Sequence, residues 1–235
     1  MKRAAIATLV VVIGVGAFAW AGTDGPLRIG DGAGAVTNVD LAAPKPKALP
    51  SPEPPPPVDR DSRSLGSPSA GSLVRGVQLP IEGPHFFTWD PILRAHGNRP
   101  WRRHGTDELV RRTLRVVREH RRANPGAPRV GIGDISRPRG GDFGPKFGLP
   151  GHASHQNGLD VDLYYPRRDR HERAPTKVTQ VDLSLSQDLV DRFVAAGAER
   201  VFVGPATGLR GPAPTVVPLI HHDNHLHVRF PAEVG

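Results

Sequence analysis

The sequence predicts an α+β fold in which a small antiparallel sheet carries flanking helices. Three patterns lead to it. Segments 158–165 and 224–230 alternate apolar and polar residues with the period of a strand. Segments 106–122 and 186–196 repeat apolar residues at helical spacing. Glycine and proline punctuate the stretches between them.

The N-terminal part looks unlike a core. Met1-Lys2-Arg3 is a short positive stretch, followed by an uncharged apolar run from Ala4 to Ala21. Ala19-Trp20-Ala21 fits the small-x-small cleavage pattern, so residues 1–21 read as a secretory signal peptide, with an uncleaved membrane anchor as the alternative. From Pro44 to Pro57, eight of fourteen residues are proline, which favours extended polyproline II. Ser, Gly and Arg dominate 59–72, and residues 22–72 together read as a tether. Residues 73–235 read as the folded domain, with its core between about Leu73 and Pro231.

Within that domain, Thr106 can cap a helix that runs to about Arg122. Leu109, Val110, Thr113, Leu114 and Val117 share one of its faces. A short strand is expected over 129–135 and a stronger one over 158–165. A second helix spans 186–196, with Leu189, Val190, Phe193 and Val194 inward and Gly197 as its stop. Strands over 199–203 and 224–230 complete the set.

Composition narrows the function. No cysteine is present, which excludes disulfides, a lipid-modified N-terminal Cys and a thiolate zinc site. No glycine-rich phosphate loop occurs. The formal net charge of +8 suits an anionic cell wall. No nucleic-acid-binding motif accompanies that charge, so no nucleic-acid partner is expected. Membrane contact is expected only through the leader, if it stays uncleaved.

Six of the eleven histidines fall into two short segments, 151–162 and 221–230. In the first, Leu159, Val161 and Leu163 share one strand face, and Asp160 and Asp162 share the other. In the second, Leu226, Val228 and Phe230 oppose His225, His227 and Arg229. Neighbouring strands would therefore collect imidazoles and carboxylates on one face. Gly158 allows a close approach that seats His155 at the strand entrance. Two histidines and one carboxylate meet the needs of catalytic zinc without cysteine. Geometry leaves both His225 and His227 as candidates for the last of these ligands. Asp160, on the same face, can accept a hydrogen bond from a ligand imidazole and orient it. Arg137, beside the strand expected at 129–135, is a candidate for binding a substrate carboxylate.

The run Gly151-His152-Ala153-Ser154-His155-Gln156-Asn157-Gly158-Leu159-Asp160-Val161-Asp162 resembles the signature of the penicillin-insensitive murein endopeptidases. These belong to the wider lysostaphin-type and D-Ala-D-Ala metallopeptidase group, to which the hedgehog signalling fold is related. His222-x-x-His225-x-His227-Val228-Arg229-Phe230 resembles the ending of the endopeptidases, and 98–101 and 133–136 are more weakly similar. The resemblance implies zinc held by His155, Asp162 and His227, with His225 as catalytic base and His222 as a second active-site histidine. It implies that His152 lines the site or serves a second metal. It also implies export to the periplasm or extracellular cell wall, and cleavage of D-Ala-containing cross-links between peptidoglycan stem peptides. The alternatives are a D-Ala-D-Ala carboxypeptidase or dipeptidase and a non-catalytic zinc-stabilised wall-binding module.

Overall fold

The computed structural model describes residues 59–148 and 151–232. The leader, and the tether as far as residue 58, lie outside the described residues. In chain order the strands before the first helix are β1 (Arg63–Ser67), β2 (Ala70–Val74), β3 (Val77–Gln78), β4 (Phe86–Asp90), β5 (Ala95–His96) and β6 (His104–Gly105). Then come α1 (Asp107–Ala123), β7 (Val130–Ile132), β8 (Asp160–Tyr164), α2 (Leu183–Ala195), β9 (Arg200–Val203), β10 (Val216–Pro218) and β11 (His225–Arg229). Among the described residues no helix is long and apolar enough to cross a membrane.

The α+β class holds, but the sheet is larger than expected and mixed. Seven strands run in the order β10-β9-β11-β8-β7-β4-β5. The pairs β4–β7 and β9–β10 are parallel, and the others in this sheet are antiparallel. All five residues of β4, Phe-Phe-Thr-Trp-Asp, are buried, so this strand lacks the one-sided alternation that marks β8 and β11.

Both helices form where their spacing places them. Thr106 caps α1, its hydroxyl accepting from the Leu109 N–H at 3.2 Å, a contact that stabilises by about 1 kcal/mol. The α2 helix starts three residues before the expected Ser186, because Asp182 accepts from the Leu185 N–H at 3.1 Å and sets the cap. Leu109, Val110 and Val117 of α1 join Leu189, Val190 and Phe193 of α2 in one core with Val161, Leu163, Leu226 and Val228 of the sheet. The helices thus claim the apolar face of β8 and β11, and the ligand-type residues occupy the opposite face.

His120 is buried on the α1 side of the helix pair. Its Nδ1–H donates to Asp188 at 2.6 Å, and Nε2 has no partner among the described residues. Burial lowers its pKa despite the Asp188 carboxylate. Protonation therefore favours the unfolded chain, and stability should fall as pH drops below about 6.5, the unfolded value, toward the folded one. His120→Gln should flatten the fall of melting temperature between pH 7 and pH 5. An unchanged slope would show that the proton is taken up elsewhere.

The stretch 59–72 joins the fold by backbone bonds, which an apolar pattern does not report. β1 and β2 pair as a hairpin. The N–H groups of Arg60 and Ser62 donate to the Asp107 carboxylate at 3.0 and 2.8 Å, tying the segment to the start of α1. Gln156 N–H donates to Pro68 O at 2.9 Å, so the hairpin braces the loop that enters β8. Gly158 sits in that loop at φ +75°, where a Cβ would meet the Leu73 side chain at 2.8 Å. The close approach expected of Gly158 is made against this hairpin.

Candidate metal centre

β8 and β11 pair antiparallel with His227 opposite Asp162 and Arg229 opposite Asp160. This register brings the two histidine segments together on one face. Asp162 is the hub. Its Oδ1 lies 3.3 Å from His155 Nε2, 3.6 Å from His227 Nδ1 and 3.8 Å from His225 Nε2. Its Oδ2 lies 3.8 Å from His152 Nδ1.

The remaining ring nitrogens fix the orientation of each imidazole. His155 Nδ1–H donates to Ile135 O at 2.6 Å. His227 Nε2–H donates to Asp160 Oδ1 at 3.0 Å. His225 Nδ1–H donates to Asn224 Oδ1 at 2.6 Å, and His152 Nε2–H donates to Asp134 Oδ2 at 2.8 Å. Each partner is an acceptor oxygen, so the nitrogen facing Asp162 is the one that carries the lone pair in the neutral ring.

The donor set fits a metal ion. His155 Nε2 and Asp162 Oδ1 are buried and have no hydrogen-bond partner among the described residues. Two donors each bound to one tetrahedral zinc at roughly 2.0–2.2 Å stand about 3.3–3.6 Å apart. The His155–Asp162 and His227–Asp162 separations match that spacing. Among the described residues, the ligand atoms that all lie within 4.8 Å of one another are those of His152, His155 and Asp162, a trio without His227, so His152 is within reach of the same position.

Electrostatics points the same way. Burial pushes the Asp162 carboxyl up, but the imidazoles of His155 and His225 reverse this and hold it well below the usual carboxylate range. Burial also opposes charge on His155, yet Asp162 lifts its pKa to about 9. A site that favours a proton between these two groups favours a cation there. Burial pushes His225 down to about 4 and lowers His227, so both rings are neutral at pH 7.

Asp160 serves both segments. Oδ2 accepts the His155 N–H at 3.0 Å, while Oδ1 accepts from His227 and, at 2.7 Å, from Arg229 Nε. His155 is held at φ +66°, a left-handed conformation that costs energy for a side-chain-bearing residue, and the Asp160 bond secures it.

The centre opens into a cleft of about 750 Å³ whose lining includes His152, Asp162, His222, His225 and His227. His222 Nδ1–H donates to Ile220 O at 2.8 Å, and its ring stands 4.8 Å from that of His225. Arg137 is not among the lining residues. Its guanidinium lies 4.1 Å over the Phe147 ring and donates to Asp142 O at 2.9 Å.

Sequence reasoning gave no role to Arg102 and Asp134, which form the floor of the cleft. Asp134 accepts from Arg102 Nε at 2.7 Å, Asn98 Nδ2 at 2.9 Å and His152, and so anchors His152. A run such as Arg102-Arg103 carries no mark distinguishing a buried guanidinium from a surface one. For Asp134 the signals are its place at the end of an alternating strand and the weak family similarity of 133–136. Arg102→Ala would leave a buried carboxylate short of its main partner and should cost about 3–5 kcal/mol in denaturant unfolding. A loss below about 1 kcal/mol would show that water replaces the guanidinium there.

Fold and site define a mixed α+β protein with a buried His–Asp donor set at the foot of an open cleft. The sequence model of the penicillin-insensitive murein endopeptidase family matches residues 64–192, more than half of the chain, and the chain belongs to that family. The match takes in His152, His155, Asp160 and Asp162 and ends before β9, so the second histidine segment is tied to the first by the β8–β11 pairing. The chain is 36% identical over 107 residues to the penicillin-insensitive murein endopeptidases of Escherichia coli O1:K1 / APEC and Escherichia coli strain SMS-3-5 / SECEC. That stretch is 46% of this chain and 34% of each relative, so the chain spans about a third of the length of the curated relatives it matches.

Proposed function

We propose that the chain is an exported, zinc-dependent murein endopeptidase that hydrolyses D-Ala-containing cross-link peptide bonds in peptidoglycan, in the periplasm or the extracellular wall. The observation that carries this reading is the pair of buried atoms His155 Nε2 and Asp162 Oδ1, without a hydrogen-bond partner among the described residues and close to His227 Nδ1. His155, Asp162 and His227 would hold the zinc, and His152 would line the site. When bound, zinc supplies Lewis-acid polarisation of water and of a peptide carbonyl.

The side chains perform the rest. His225 is neutral and presents Nε2 to the cleft, so it can take the proton of the attacking water and return it to the leaving amine. Asn224 holds the His225 ring in the tautomer this requires. Protonated His222, beside it on the cleft wall with Nδ1–H on Ile220 O, can donate from Nε2 to the oxyanion as it develops. Asp160 orients both His227 and the His155 backbone.

Digestion of cross-linked peptidoglycan followed by mass analysis tests the reading. Cross-linked dimers should disappear with zinc present and persist with a chelator. Dimers that survive in both conditions would reject endopeptidase action, and dimers lost in both would reject the metal.

A further inference from the structure

A second hollow, of about 480 Å³, adjoins the cleft and shares Pro91, Tyr164 and Asn224 with it. Its charge is one-sided: Arg94, Arg167 and Arg173 line it, and no Asp or Glu does.

The three arginines are not equivalent. Arg167 is buried framework, its Nε donating to Asp169 at 2.8 Å and its Nη1 to Gln180 Oε1 at 2.7 Å. Among the described residues Arg173 reaches only Asp169, at 4.0 Å, and Arg167 already engages both oxygens of that carboxylate. The Arg94 side chain has no hydrogen-bond or ion-pair partner among the described residues. Its backbone is held at φ +54° by an N–H bond to Asp90 O at 2.8 Å. A left-handed arginine with an uncommitted guanidinium is an expensive way to end a turn unless the charge is used.

Other polar groups in the hollow are also short of acceptors. Gln180 Oε1 accepts from Arg167, from Thr176 N–H and from the Thr176 hydroxyl, while the Gln180 amide N–H groups have no acceptor among the described residues. Asn224 Oδ1 accepts from His225, and the Asn224 amide N–H groups likewise have no acceptor among the described residues. Trp89 and Tyr164, edge to face with centroids 6.4 Å apart, give an apolar wall. The hollow is therefore cationic, rich in donors and continuous with the site of cleavage. Such a surface recognises a carboxylate.

We propose that the hollow around Arg94 and Arg173 is a substrate subsite that takes a free carboxylate of an acidic stem peptide and so sets which bond lies over the metal centre. The peptide in this assignment rests on the function proposed above. Arg94 and Arg173 make the charged contacts, and Gln180 and Asn224 supply neutral donors.

The test is binding, measured by titration calorimetry on the full chain carrying His225→Ala, which preserves the ligand. The probes are a cross-linked stem-peptide dimer with free carboxylates and the same dimer with those carboxylates converted to primary amides. The acid form should bind roughly tenfold or more tightly than the amide form, the size of a charge-assisted contact. Arg94→Gln with Arg173→Gln should abolish the difference. Equal binding of the two probes by the parent chain overturns the proposal, as does a preference that survives the double substitution. Both arginines are exposed, and if the double variant fails to fold, the acid–amide comparison on the parent chain still decides. A chain that binds with this preference yet cleaves no wall would reject the catalytic reading alone.

Discussion

His225→Ala should leave the chain with its full complement of zinc and remove about 10²–10⁴-fold of its hydrolytic rate. The expectation follows from two hydrogen bonds. His155 and His227 are held by Ile135 O and Asp160, and neither bond involves His225. His225 is tethered instead to Asn224, and its Nε2 stands farther from Asp162 Oδ1, at 3.8 Å, than the nitrogens of His155 and His227. The ring can therefore be deleted without taking a donor from the closest set. Metal content by atomic absorption and fragment release from cross-linked wall read the two effects separately. Cleavage at the parent rate would show that His225 is not the base. Loss of zinc along with activity would move His225 into the donor set and return His227 to consideration as the base.

Asp162→Ala should strip the metal altogether and abolish hydrolysis. Three imidazole nitrogens converge on Asp162 Oδ1 within 3.3–3.8 Å, and His152 faces the other oxygen. Removing the carboxylate takes away the one charged donor of the set and the atom on which the rings converge, so the affinity of the remaining imidazoles for a dication should fall steeply. The zinc-to-protein ratio after dialysis should fall from near one to near zero. Asp162→Asn, which keeps the volume and discards the charge, should also lose most of the metal. Full retention of zinc in either variant would exclude Asp162 as a ligand.

The parts of this site that could be read from sequence are those governed by strand periodicity. Leu159, Val161 and Leu163 alternate with Asp160 and Asp162, and Leu226 and Val228 alternate with His225 and His227, so the shared face follows from the pleat. The Thr106 cap was legible for a similar local reason. What escaped was set by long-range pairing. β4 is buried throughout, and its short apolar run carries no alternation to mark it. The parallel pairing of β9 with β10 depends on a connection that no local pattern encodes. The hairpin at 63–74 is rich in Ser and Gly, with too few apolar residues to set a period, and its strands are paired by main-chain bonds. Arg102 could not be told from a surface arginine, because its burial is decided by Asp134, which is 32 residues away.

The position of β11 in the sheet has a consequence for timing. It is the last described strand in chain order, yet it lies between β8 and β9. A chain made from its N-terminus displays His155 and Asp162 well before His227 exists, because His227 and Asp160 are separated by 67 residues. At about 5–20 residues per second, ribosomal synthesis leaves that half-site waiting for several seconds. During that interval β8, and then β9 once it is made, lack their neighbour, and their open edges are vulnerable to pairing with other chains. Insertion of β11 closes both edges and delivers His225 and His227 in the same step, so the strand edges are covered and the candidate metal centre is completed at one moment of folding.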